Sequence, residues 1–212
     1  MGVLIKKLSD TDFTMSEVHE LIRAAYKERI EEGIHFQALH KTTEEIENRI
    51  KQHSGIVFLA IDEKSQVLLG TGTVLFHTNK KKQLYAGFIL GAVKPEAQGR
   101  GIGTLLRHKR EECAIEQGAI YISSSTAAKA KSAVNYQLNT GFKKYQFASA
   151  SNTDYYSIYF RKYLTKTFKR SSLYCNTRYY LSMFITKLLF KQNGDFTSIG
   201  SICHKSIEYL KT

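Results

Sequence analysis

The sequence predicts a mixed α/β domain built on one central sheet. Three observations carry that prediction. Segments with apolar residues at i, i+3 and i+4 interleave with short β-branched and aromatic runs. Two hydroxyl-x-x-glutamate signals open the early helices. A glycine-rich turn joins a strand to a helix near residue 100.

Residues 3–8 read as the first strand. Thr14-Met15-Ser16-Glu17 is a capping box: the hydroxyl accepts from an early helix amide, and the glutamate reaches back. The helix that follows carries Val18, Leu21, Ile22 and Ala25 on one stripe and should stop near Gly33. Thr42-Thr43-Glu44-Glu45 is a second box, and Ile46 and Ile50 give its helix an apolar side. Residues 56–61 and 67–76 form a hairpin about a polar turn at 62–65. After the turn Asn79-Lys80-Lys81-Lys82 comes a strand over 84–93. Its glycines, Gly87 and Gly91, signal a bulge or a close backbone approach. Pro95, the only proline, ends it. A helix runs from Gly99 to about Gln117 with Ile102, Leu105, Leu106 and Cys113 on one stripe, and Gly118 stops it. A strand over 119–124, a helix over 127–139, a break at Gly141-Phe142 and strands over 142–148 and 155–160 complete the order β-α-α-β-β-β-α-β-α-β-β.

At 212 residues the chain holds one generous domain, or one domain and an appendage. Cys113, Cys175 and Cys203 are far apart, with no zinc-like spacing, so no metal is expected. Unpaired thiols, no leader-like start and no apolar run near the roughly 18 residues a span needs suggest a cytoplasmic protein. The net charge of +12 is unevenly spread: −5 over residues 10–50, +7 over 51–160 and +8 over 161–212.

The sharpest feature is Gln98-Gly99-Arg100-Gly101-Ile102-Gly103-Thr104, between the strand ending at Val93 and the next helix. A helix N-terminus presents unsatisfied amides and a partial positive charge, which suit phosphate. Glycines let the backbone approach an anion closely, and Arg100 adds a cation. A Walker loop would need Lys-Ser or Lys-Thr after its last glycine, and none is there. A dinucleotide fingerprint starting at Gly101 would meet Leu106 where it needs glycine.

The run resembles the acetyl-CoA motif of the GNAT superfamily of N-acetyltransferases: Gln or Arg, two free positions, Gly, one free position, Gly or Ala. Gln98, Gly101 and Gly103 fill its defined positions. The element order over residues 3–163 is similar too, as is an alanine-bearing helix, with Ala133, ending in Gly141-Phe142. The resemblance implies a central mixed sheet of about seven strands flanked by helices. It also implies a domain over 1–164; the residues beyond it, 165–212, read by composition and pattern as a basic, aromatic extension of helical character.

It further implies that the strand ending at Val93 and the strand over 119–124 splay apart around acetyl-CoA. The pantetheine arm would pair with backbone at Ala92 and Val93. The pyrophosphate would rest on the loop from Gln98 to Thr104, with Asn135 as a further contact. An amide near Val93 would stabilise the oxyanion. Many relatives place an acidic tyrosine four residues before the glycine of Gly-Phe. Here Gln137 stands there and Tyr136 is its neighbour, about 100° round the helix. Tyr136 is the candidate proton donor. Glu31 is the candidate base, from a set with Glu28, Glu32, His35 and His40 on or after the first helix.

The acidic stretch over 10–50 suggests a cationic amine as acceptor, either a small molecule or a peptide amine. Residues 179–190 read as a helix between Arg178 and Lys191. A helix docked on the domain or at a homodimer interface is the preferred reading. A peripheral membrane contact is the lesser one. Nucleic acid is disfavoured, because no motif for it is present. A fold of this kind that binds acyl-CoA as a sensor, without turnover, is the alternative to the enzyme.

Overall fold

The structure is a computed structural model that describes residues 2–31, 34, 39–149, 155–164, 172–191, 194–195, 197 and 200. The side chains of Glu28, Arg29, Glu31, Ser172 and Leu173 are outside that description. The chain condenses into two units, Met1–Ser124 with Tyr163–Phe168, and Ser125–Lys162 with Lys169–Thr212.

In the first unit β1 is Val3–Lys7, α1 Met15–Glu31, α2 Thr43–Gln52, β2 Ile56–Asp62, β3 Leu68–Thr78, β4 Leu84–Val93 and α3 Ile102–Glu116. The strand β5, Tyr121–Ala127, carries the chain from one unit into the next. The second unit holds α4 (Lys131–Asn139), β6 (Lys143–Ala148), most of β7 (Ser157–Tyr163) and α5 (Ser172–Leu189). The strands follow the order β1-β2-β3-β4-β5-β7-β6 in one seven-stranded sheet. The pairs β1–β2, β2–β3, β3–β4 and β6–β7 are antiparallel, and β4–β5 is parallel. This is the mixed, helix-flanked sheet the sequence predicts.

Both capping boxes form. Thr14 and Thr42 each accept from the backbone three residues on, and Glu17 and Glu45 each accept the threonine amide at 2.7 Å. The caps aim two amphipathic helices at one face of the sheet. Val18, Leu21 and Ile22 of α1 and Ile46 and Ile50 of α2 are buried with Val57, Leu59 and Leu75 of β2 and β3. On α3 the buried residues include Ile102, Leu106, Arg110 and Cys113. Leu105, expected on that stripe, is 44% exposed. Four residues after Leu106 the buried stripe carries an arginine, Arg110.

Gly87 is a close approach rather than a bulge. A Cβ there would lie 3.1 Å from His77 Nε2. His77 stacks on Tyr85 at 5.1 Å and lies 4.2 Å from His53, ring centre to ring centre. Burial, then the charges of His53 and Arg49, hold His77 below the ordinary imidazole value. Protonation therefore favours the unfolded chain, and stability falls as the pH drops below about 6.5. His77→Phe keeps a ring over Gly87 and removes the proton site. Its melting temperature should change less than that of the wild type between about pH 7.5 and pH 5. Identical slopes would show that another group sets this dependence.

Candidate active site

The site begins where β4 leaves β5. Their parallel ladder holds Ala86–Ile122, Gly87–Ser123 and Phe88–Ser124 and goes no further, while β4 runs on to Val93. At the same point the register with β3 shifts. Thr73 faces Ile89 and Thr71 faces Ala92, so Leu90 and Gly91 together oppose Gly72. Leu90 takes φ 51°, in the left-handed region where a non-glycine residue is strained. A bulge bends its strand and breaks the pairing, so the edge from Ile89 to Val93 is left for another extended chain. From α1 the Tyr26 hydroxyl donates to the Gly91 carbonyl at 3.1 Å. Beneath β4 the Arg110 guanidinium lies 4.5 Å from the centre of the Phe88 ring.

The loop follows directly. Pro95–Ala97 makes a single 3-10 turn, and the Gln98 amide closes it on the Pro95 carbonyl at 3.2 Å. Gly99 and Gly101 take φ 75° and 77°, and a Cβ on either would meet nothing within 4 Å. Gly101 caps α3 without a side chain, and its carbonyl accepts from Thr104 and Leu105 at 2.9 and 3.1 Å. The amides of Gln98 and Thr104 thus serve the turn and the helix. Those of Gly99, Gly101 and Ile102 lie between them, on exposed backbone in front of open space or at the first helical position, where a helix has no acceptor of its own. Backbone donors of this kind at the start of a helix are suited to an anion.

Arg100 supplies the cation, with its guanidinium 3.9 Å from Asp62 Oδ2, too long for a hydrogen bond. The other oxygen of Asp62 accepts the Lys64 and Ser65 amides at 3.1 and 3.0 Å. The Ser65 amide foremost, with Lys64 and Arg100 adding, holds the Asp62 carboxyl below the carboxylate range. Oδ2 itself has no hydrogen-bond partner. Arg100 is therefore drawn toward the hairpin turn.

The other predicted residues lie on β4, on α4 and on or after α1. Ala92 is buried and Val93 half-buried on β4, where they pair with Thr71 and Gly70. Asn135 is exposed on α4, and Tyr136, also on α4, is 36% exposed. Gln137, where the resemblance marks a tyrosine, is half-buried, and its carbonyl accepts from Phe142 across the left-handed Gly141. Glu31 is the last residue of α1, with its side chain outside the description, as is that of Glu28. Glu32 and His35 lie outside the described residues. His40 borders a shallow depression of about 550 Å³ with Arg23, Ala24, Lys27, Ile30 and Leu39. Among the described residues of that lining the charged side chains are Arg23 and Lys27.

The sequence model of the Acetyltransferase (GNAT) family matches residues 15–142. The chain belongs to the GNAT acetyltransferase family. Acyl transfer with an acyl-CoA cosubstrate is thus its class of chemistry. Solved structures share the fold. The NatC complex bound to Gag peptide and CoA gives a TM-score of 0.64 at 16% identity, over 78% of this chain and 100% of that one. A GNAT acetyltransferase from Staphylococcus aureus Mu50 gives 0.60 at 20% identity, over 77% and 100%. The PaiA N-acetyltransferase from Thermoplasma acidophilum in complex with coenzyme A gives 0.59 at 18% identity, over 77% and 99%. No curated relative matches by sequence. Among the described residues no group of three or more His, Cys, Asp or Glu is placed to hold a metal, and no helix is long and apolar enough to cross a membrane.

Three residues of this GNAT site escaped the sequence analysis: Tyr26, Asp62 and Arg110. Only Arg110 left a signal, as a charged residue eight after Ile102 and four after Leu106 on the sheet-facing stripe of α3.

Proposed function

We propose that the chain is an N-acetyltransferase moving an acetyl group from acetyl-CoA to a primary amine by direct attack in a ternary complex. The observation that carries this is the end of the β4–β5 ladder at Phe88, immediately ahead of a loop with two left-handed glycines. An edge for an extended arm and a cradle for its phosphates lie in succession on one stretch of chain. Acetyl-CoA supplies the thioester.

The β4 edge at Ala92 and Val93 pairs with the pantetheine arm. The amides of Gly99, Gly101 and Ile102, with Arg100, hold the pyrophosphate, and Gln98, Gly103 and Thr104 shape the loop around it. A β4 amide near Val93 donates to the thioester oxygen as negative charge gathers there. The amine lone pair forms the new C–N bond, the C–S bond breaks, and the thiolate leaves. Tyr136 is the proposed donor of its proton, and Asn135 a further contact to the cosubstrate. A thiol with pKa about 8.5 departs without strict need of an acid, so Gln137 at the usual tyrosine position does not forbid the reaction. Glu31 is the proposed base that takes the proton from the amine. The acceptor is a small-molecule or peptide amine. Residues 1–164 carry the reaction, and 165–212 form an extension whose helix α5 packs on β6.

Thermal unfolding with acetyl-CoA tests the site first. Ligand at about 100 times its Kd should add about 2.7 kcal/mol of stability. Release of free CoA on adding members of an amine panel then tests turnover. A shift in melting without release by any amine would favour the sensor, the reading that Gln137 supports. No shift at millimolar ligand would remove both.

A further inference from the structure

Helix α5 has two apolar sides, and among the described residues only one is buried. On the inner side the Ser182 hydroxyl oxygen accepts from the Phe147 amide at 2.8 Å. The Thr186 hydroxyl donates to the Phe147 carbonyl at 3.1 Å. Cys175 and Tyr179 are buried there, with Tyr179 edge-on to Phe147. The outer side carries Leu181 at 58% exposure, Phe184 at 66%, Ile185 at 43% and Leu188 at 37%, with Tyr180 at 60% beside them. Residues 181, 184, 185 and 188 have i, i+3, i+4, i+7 spacing, so they form one continuous stripe. An isolated exposed leucine needs no explanation; a stripe centred on a phenylalanine two-thirds open to solvent does.

Charge selects the occupant. Helix α5 contains no acidic residue, and Lys187 and Lys191 stand exposed at its C-terminal end. Residues 161–212 carry a net +8. A second copy seated on this face would set like charges against each other. Nucleic acid could stack bases on Tyr180 and Phe184 but would set Leu181, Ile185 and Leu188 against its charged backbone, which does not cover an aliphatic stripe. An anionic lipid surface matches both features: the acyl boundary takes the apolar stripe, and the headgroups take the lysines.

We infer that the outer face of α5 is a membrane-binding face, lying in the plane of an anionic bilayer. The helix does not cross the bilayer, and its inner side stays on β6. This reading is independent of the acetyl-CoA site, since none of its residues belongs to that site.

Co-sedimentation of the full chain with lipid vesicles tests it. Binding to phosphatidylserine-rich vesicles should exceed binding to pure phosphatidylcholine on the order of tenfold. The excess should fade as salt rises. Leu181→Ser, Phe184→Ser and Leu188→Ser together should abolish binding to both vesicles with the circular dichroism unchanged. Lys187→Glu with Lys191→Glu, both exposed side chains, should erase only the preference for phosphatidylserine, with the circular dichroism unchanged although Lys187 Nζ lies 5.9 Å from the centre of the Phe147 ring. Absence of binding by the wild type, or equal binding to both vesicles, would overturn the proposal. So would a concentration-dependent dimer in sedimentation velocity that the serine variant dissolves.

Discussion

Gly101→Ala should lower kcat/KM for acetyl-CoA by about 100-fold, because two amide bonds to a charged group, at about 1.5 kcal/mol each, account for that factor. Gly101 caps α3 at φ 77° with open space where a Cβ would sit. A methyl there intrudes on the volume the phosphates need. It also strains the turn, at a cost of about 1–2 kcal/mol. For a chain of this size that strain lowers the melting temperature by only roughly 2–8 °C. Gly118 provides the control. It has the same φ of 77° and the same open surroundings, at the other end of the same helix. Gly118→Ala should share the thermal loss and keep the activity. Equal losses of activity in the two variants would reduce the loop to a structural turn.

What could be read from the sequence was local. A capping box needs only a hydroxyl and a glutamate three residues apart, so the starts of α1 and α2 were legible from Thr14 and Thr42. The loop was legible because left-handed φ at residues 99 and 101 calls for glycine whatever surrounds it. Boundaries set by tertiary pairing were not. The helix expected from residue 127 starts at Lys131, because Ser125, Thr126 and Ala127 stay in β5 and Ala127 is fully buried. The tail helix, expected over 179–190, begins at Ser172, where Cys175 faces the core amid a polar stretch. Gly87 and Gly91 have the same sequence signature and different causes. The ring of His77 crowds one, and the other belongs to the bulge opposite Gly72. No local rule separates them, because the cause lies on β3. Asp62 and Tyr26 were silent for the same reason: their partners are 38 and 65 positions away.

Arg110 is the one overlooked residue of the site that left a trace in the sequence and, by this argument, the one whose truncation costs most stability. It is 7% exposed, stacked on Phe88, with Nε donating to the Leu106 carbonyl at 3.3 Å. A Cβ on Gly72 would fall 2.8 Å from its Cζ, so glycine on β3 makes room for the guanidinium. The bulge at Leu90 and Gly91 lies between this side chain and Tyr26, which holds the Gly91 carbonyl from α1. Arg110→Ala removes the filler from beneath the bulge and should cost about 3 kcal/mol, as large-to-small core changes do. The melting temperature should then drop by roughly 6–12 °C. Arg110→Met separates volume from charge. Filling the space with an apolar chain of similar length avoids burying a cation and should return stability to within about 1 kcal/mol of wild type. If packing under the bulge is what Arg110 supplies, kcat should recover in the methionine variant together with stability. Stability of the alanine variant within about 0.5 kcal/mol of wild type in urea unfolding would show that the guanidinium bears no weight there.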